Sequence, residues 1–83
     1  MPFKLYIIYS TALDRYYVGY TSEIGIRLQQ HNQGLSTYTS KACDWKLVYT
    51  EDYQNREDAH KRELKIKKKK SRKYIEWLVG LAG

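Results

Sequence analysis

Arg27 and His31 stand four residues apart in the segment 23–33, which is predicted to form a short helix. Side chains with this spacing are neighbours on a helix, so the two can point at the same place. A guanidinium keeps its charge and forms paired hydrogen bonds with an oxyanion. An imidazole titrates closest to neutral pH and can exchange a proton there. The alternatives are a surface ion pair for Arg27 and an imidazole on the helix surface, hydrogen-bonded to the following loop, for His31.

Glu63 is a carboxylate in an apolar stripe. On the helix predicted for residues 55–69, Ala59, Glu63 and Ile66 fall at positions i, i+4 and i+7, which share the side that packs on a sheet. An ion pair with Lys67 at i+4, an ion pair with Arg27, or service as a metal ligand would each explain the carboxylate there.

Two tyrosines are brought together by a predicted hairpin. The segments 3–10 and 15–21 are rich in β-branched and aromatic residues, and the short link between them brings the strands together antiparallel. In that register Tyr6 lies opposite Gly19 and on the same face as Tyr17. The tyrosines are then diagonal neighbours, and the glycine leaves an open space over the sheet.

The first helix and the third strand follow the hairpin. Thr21 or Ser22 would cap the helix and Gly34 would end it. Residues 34–44, with their hydroxyl and basic groups, are predicted to form a surface loop. Residues 45–53 are predicted to form a third strand, on which three alternating aromatic residues favour a core role over a base-stacking platform: Trp45, Tyr49 and Tyr53.

Two more helices complete the predicted fold. Asn55, with Asp58 three residues later, is a capping-box variant that would begin the helix of 55–69. Ser71 would cap a third helix with the apolar side Tyr74, Ile75, Leu78 and Val79. The predicted fold class is therefore α/β (α+β), a three-stranded antiparallel sheet flanked by helices.

The composition is that of one small folded domain. A chain of 83 residues that is 42% hydrophobic can bury a single core, so we expect one domain over residues 1–83. No apolar window approaches the length of a membrane span, and the first residues lack a signal peptide's apolar core, so we expect a cytoplasmic protein with no membrane partner. The lone Cys43 cannot form an intramolecular disulfide, and with only His31 and His60 the chain lacks the ligands of a structural zinc site.

The net charge of +6 favours a polyanionic partner. Most of the excess lies in residues 65–73, whose sequence is Lys-Ile-Lys-Lys-Lys-Lys-Ser-Arg-Lys. Such a run can also be a solvated helix end that serves only solubility. The residues predicted to contact nucleic acid are Lys41, Lys67, Lys68, Lys69, Lys70, Arg72 and Lys73.

Five stretches in order resemble the GIY-YIG nuclease superfamily, and within it the small single-domain YhbQ-like (UPF0213) group. They run over Leu5–Ile8, Tyr16–Thr21, Ile26–Gly34, Leu47–Tyr49 and Arg62–Lys67. The chain departs from the family in two places. Lys4-Leu5-Tyr6 keeps only the tyrosine of the first signature. Tyr20 stands where the DNA-repair relatives carry a lysine, so a mechanism that uses that lysine is not carried over.

The resemblance implies a divalent-metal-dependent nuclease that hydrolyses phosphodiester bonds of DNA, with RNA as an alternative substrate. By resemblance, Glu63 would hold a single Mg²⁺ or Mn²⁺ and Arg27 would clamp the scissile phosphate. Tyr17 would position or deprotonate the attacking water, and Tyr6 would orient that water or the phosphate. His31 would accept the phenolic proton or act as the general base. The rival functions are a non-catalytic nucleic-acid-binding module on the same fold and an accessory protein whose basic helix contacts protein or RNA.

Overall fold

A computed structural model of the chain describes residues 2–35 and 38–82. Its elements are, in chain order, β1 (Phe3–Ser10), β2 (Arg15–Thr21), α1 (Ile24–Asn32), a short 3₁₀ helix (Thr39–Lys41), β3 (Lys46–Tyr53), α2 (Arg56–Lys69) and α3 (Arg72–Ala82). The three strands form one sheet in the order β2-β1-β3, and both pairings are antiparallel. The predicted fold class is confirmed. Within the described ranges, no helix has the length and apolar character needed to cross a membrane.

The hairpin has the predicted register. Ser10 pairs with Arg15 and Tyr6 pairs with Gly19. The space over Gly19 is filled by the Tyr6 side chain, because a Cβ built on this glycine would lie 2.5 Å from the phenolic oxygen. A glycine is therefore required for Tyr6 to lie flat across β2.

The central strand β1 is buried on both faces, since Leu5, Tyr6, Ile7 and Ile8 are each at most 1% exposed. One face packs against Ile66 of α2 and Leu78 of α3. The opposite face, which carries Tyr6, is covered by α1. The sheet is thus the middle layer between α1 on one side and α2 and α3 on the other.

A β-bulge in β3 changes which face its aromatic residues occupy. Ile7 pairs with Tyr49 but Ile8 pairs with Leu47, so Val48 is an extra residue in β3. Tyr49 therefore packs on the α2 and α3 side, whereas Trp45 is buried on the α1 side. The expectation that simple alternation links these rings was wrong for Trp45, because one inserted residue reverses the parity of a strand.

The helix ends follow the predictions with one exception. Asn55 accepts a hydrogen bond from the Asp58 amide at 2.9 Å, and Ser71 accepts one from the Tyr74 amide at 3.2 Å. The N-cap of α1 is Glu23, so Thr21 or Ser22 as cap was wrong. The Thr21 hydroxyl instead accepts a hydrogen bond from the Glu23 amide, in the turn that precedes the helix.

Candidate active site

The hairpin places two tyrosine rings side by side on the face that α1 covers. The ring centroids of Tyr6 and Tyr17 lie 6.4 Å apart. Tyr6 is buried and Tyr17 is half-buried. Tyr17 is therefore the one of the two that solvent can reach.

His31 is fully buried beside both tyrosines. Its Nε2 lies 2.7 Å from the Tyr6 hydroxyl, and its Nδ1 lies 2.7 Å from the Thr39 hydroxyl. Its ring centroid is 5.0 Å from that of Tyr17. The alternative prediction for His31 was a surface imidazole that is hydrogen-bonded to the following loop. The hydrogen bond to that loop is present, but the imidazole is buried and does not lie on the helix surface.

Burial keeps the side chains of His31 and Tyr6 uncharged. Desolvation lowers the pKa of His31 to about 4, and the positive charge of Arg27 acts in the same direction. Desolvation raises the pKa of Tyr6 to about 12, against the effect of a hydrogen bond from Arg27. At neutral pH both rings are uncharged, and each ring nitrogen of His31 has a hydroxyl partner with which to donate or accept a hydrogen bond.

Arg27 reaches this pair from α1. It is half-buried, and one guanidinium nitrogen donates to Gln30 Oε1 at 3.1 Å. Among the described residues no ion pair joins Arg27 to a carboxylate. Its charge is therefore left for an anion next to Tyr6.

Glu63 approaches from α2, and its side chain is only 12% exposed, as its place in the apolar stripe predicted. Its carboxylate contacts Lys67 Nζ at 3.4 Å and His60 Nε2 at 3.9 Å. The negative charge of Glu63 also contributes to the raised pKa of Tyr6, although burial is the largest cause. Of the two predicted ion pairs, the one with Lys67 is formed and the one with Arg27 is not.

The donor set around Glu63 fits a cation that is held by one carboxylate. Across residues 2–35 and 38–82, no group of three or more His, Cys, Asp or Glu side chains could hold a metal ion. Mg²⁺ is commonly bound through one or two carboxylates, with water and phosphate oxygens completing its shell. Glu63 is such a carboxylate, and its charge, like that of Arg27, acts on Tyr6.

Three residues that support His31 were not predicted as part of the site. Thr39 is buried, although the segment 34–44 was expected to be a surface loop. Its carbonyl accepts a hydrogen bond from Trp45 Nε1 at 3.0 Å. The Asn32 side chain in turn accepts from the Trp45 amide at 2.7 Å and donates to the Trp45 carbonyl at 3.1 Å. A loop has no periodicity that would reveal an inward-facing hydroxyl, so the sequence carried no signal for Thr39.

The basic residues divide between several surfaces. Lys67 lies over the Tyr17 ring at 5.4 Å, and with Lys70 and Arg72 it lines a cavity between the β1–β2 turn and the junction of α2 with α3. Lys41 lines an adjoining cavity. Two others lie elsewhere, since Lys68 and Lys69 share a hollow with Arg62 and Lys65. Lys73 is exposed on α3.

Arg72 is also a structural tie. Its guanidinium contacts Asp14 Oδ1 at 2.6 Å and the Asp14 carbonyl at 2.8 Å, and it lies 3.4 Å from Glu76. It fastens α3 to the turn between β1 and β2. Its charge is therefore largely compensated within the protein.

Comparison with known proteins agrees with the motifs and with the fold. The family model of the GIY-YIG catalytic domain matches residues 2–75. A UPF0213 protein of Streptococcus pneumoniae serotype 4 is 34% identical over 80 residues, which cover 94% of this chain and 81% of the relative. A UPF0213 protein of Staphylococcus aureus strain Mu3 is 38% identical over 52 residues, which cover 61% of this chain and 63% of the relative.

A solved structure of another UPF0213 protein has a similar fold. The UPF0213 protein of Bacillus halodurans, determined by NMR in solution, superimposes with a TM-score of 0.60 at 30% sequence identity. The match covers 98% of this chain and 85% of that one. The chain therefore belongs to the GIY-YIG family, in its UPF0213 group, and a GIY-YIG catalytic domain indicates nuclease activity.

Proposed function

We propose that this protein is a divalent-metal-dependent nuclease that hydrolyses phosphodiester bonds of DNA, with RNA as the alternative substrate. The observation that carries the proposal is the convergence of five side chains from four elements on one place at the sheet. They are Tyr6, Tyr17, Arg27, His31 and Glu63. The basic residues beside them supply the attraction for a phosphate backbone.

Arg27 binds the scissile phosphate in this proposal. Its guanidinium is half-buried and its charge meets no carboxylate among the described residues, so an incoming phosphate would compensate it. Glu63 would hold Mg²⁺ or Mn²⁺. A bound divalent ion would neutralise charge on the phosphoryl oxygens and make water a stronger nucleophile.

Tyr17 contacts the attacking water, because it is the half-buried member of the tyrosine pair and Tyr6 is enclosed. Lys67 Nζ lies 5.4 Å from the Tyr17 ring centroid, so a phosphate drawn to this lysine would lie close to the Tyr17 side chain. In this proposal Tyr17 positions or deprotonates the attacking water.

His31 acts through Tyr6 as a positioning residue. Both its ring nitrogens are occupied, by the hydroxyls of Tyr6 and Thr39, and the residue is fully buried. It therefore fixes the direction of the Tyr6 hydroxyl and does not meet substrate.

Cleavage assays on matched variants test the proposal. Single-stranded, duplex and branched DNA, and RNA, would be incubated with Mg²⁺ or Mn²⁺ and with wild type, Glu63→Gln or Arg27→Gln. Glu57→Gln and Arg56→Gln are the controls, because both residues are exposed on the same helix as Glu63 and each control makes the same change of charge. The controls also exclude a contaminating nuclease.

We expect metal-dependent cutting by the wild type and by both controls. Glu63→Gln and Arg27→Gln should each lower the cleavage rate at least about 100-fold, because removal of one charge-stabilising group has an effect of that order. If the wild type and all the variants bind nucleic acid but none of them cuts it, the result would instead favour the non-catalytic binding module. The Lys67–Glu63 ion pair is the observation that supports that alternative, since it satisfies the carboxylate without a metal.

A further inference from the structure

A cavity of about 470 Å³ lies between the β1–β2 turn and the junction of α2 with α3. Its size is in the range of roughly 300–1,000 Å³ that small-molecule sites occupy. Aromatic and cationic side chains form much of its lining, and they include Arg15, Tyr16, Tyr38, Lys67, Lys70 and Arg72. Neither Arg15 nor Tyr38 was predicted to contact a ligand.

Two lining residues join this cavity to the candidate active site. Lys67 lies 3.4 Å from the Glu63 carboxylate and 5.4 Å from the Tyr17 ring centre. Tyr38 places its ring 5.5 Å from that of Tyr17, at an interplanar angle of 33°. A chain bound with one phosphate at Arg27 and Glu63 would therefore have its neighbouring nucleotide at the cavity.

The charge of the cavity favours a phosphate. Among the described residues that line it, the one carboxylate is that of Asp14, which is held by Arg72 at 2.6 Å and by the Tyr9 hydroxyl at 2.5 Å. Within residues 2–35 and 38–82, Arg15 and Lys70 form no ion pair. These two cations are left to meet an anion from outside the protein.

Tyr38 decides which kind of nucleic acid fits. The residue is 54% exposed, and its ring, which has the Tyr17 ring 5.5 Å away, is accessible from solvent. A nucleobase stacks on such a ring without regard to sequence, but only when the base is not already enclosed in a duplex. We propose that this cavity binds an unpaired nucleotide next to the scissile phosphate, with the base on Tyr38 and the backbone phosphate on Arg15 and Lys70. The nuclease therefore prefers single-stranded or branched substrates to duplex.

The proposal rests on the proposed function only in placing the scissile phosphate, so its test measures binding without cleavage. The probe is a fluorescein-labelled single-stranded oligonucleotide, compared with the same sequence as a duplex, in EDTA and low salt. The variants are Tyr38→Ala, Tyr38→Phe and Arg15→Gln. The control is Trp77→Ala, which removes another exposed aromatic ring, on α3 and outside the cavity lining.

Loss of one stacked base corresponds to roughly 5- to 150-fold weaker binding. We expect that loss for Tyr38→Ala on the single strand and little change on the duplex. Tyr38→Phe should restore affinity, because it keeps the ring. Arg15→Gln should weaken both probes and flatten the salt dependence.

Several results would overturn the proposal. Equal losses on single strand and duplex, no loss for Tyr38→Ala, or the same loss for Trp77→Ala would each do so. If the protein cuts no substrate but its binding depends on Tyr38, the proposed function is contradicted and the binding site is supported. If cleavage depends on Glu63 but binding does not depend on Tyr38, the proposed function is supported and the binding site is contradicted.

Discussion

Gly19→Ala tests whether the Tyr6 ring is fixed over β2. The added methyl group would lie 2.5 Å from the phenolic oxygen of Tyr6 and 2.7 Å from Cζ. The ring cannot turn away freely, because Tyr6 is 1% exposed and its hydroxyl is hydrogen-bonded to His31 Nε2 at 2.7 Å. Either the strand shifts or the ring leaves its partner.

Both responses have a cost that can be bounded. Overpacking a well-filled core destabilises a protein by roughly 1–3 kcal/mol. Separating the Tyr6 hydroxyl from a buried imidazole leaves an unsatisfied polar group, at a cost of about 1–3 kcal/mol. We therefore expect Gly19→Ala to lower the free energy of unfolding by about 1–3 kcal/mol, whichever response occurs.

Urea unfolding followed by circular dichroism measures this change, and Gly80→Ala is its control. A Cβ at Gly80 of α3 would meet nothing within 4 Å. Alanine is the better helix former, so the control should stabilise the protein by about 0.5–1 kcal/mol. An unchanged unfolding midpoint for Gly19→Ala would refute the fixed position of Tyr6, and with it the site built around that ring.

Two further predictions concern pH and the end of α2. Folding lowers the pKa of His31 from 6.5 to about 4, so between these pH values the unfolded chain binds a proton that the folded protein does not. The contribution of His31 to the free energy of unfolding is therefore complete above pH 6.5 and is lost as the pH falls toward 4. The slope in that window should reach about 1.4 kcal/mol per pH unit in wild type. Denaturant titrations at several pH values measure it, and the same slope in His31→Gln would contradict the assignment. Lys70 caps α2 in the left-handed conformation, with φ 49°. Lys70→Gly should therefore raise stability by about 1 kcal/mol while weakening oligonucleotide binding, and a drop in the unfolding midpoint would refute the strain.

The parts of the site that lie on regular elements could be predicted, and those that depend on irregular backbone could not. The four-residue turn and the alternation of side chains fixed Tyr6 opposite Gly19, and helical periodicity placed Glu63 toward the sheet. The bulge at Val48 and the inward turn of Thr39 leave no periodic trace. The direction in which each lysine of the basic run points depends on how α2 packs against β2, and no local sequence pattern predicts that packing.

The burial of β1 on both faces ties the lifetime of the site to that of the whole domain. Tyr6 stands in the middle of the strand that both other strands pair with, and the layers above and below it are the two halves of the core. Such a segment opens only when the molecule unfolds globally, whereas termini and loops fray at low cost. The Tyr6 ring therefore has no partly melted state of its own, and heat would abolish its place over β2 and the fold in a single cooperative step.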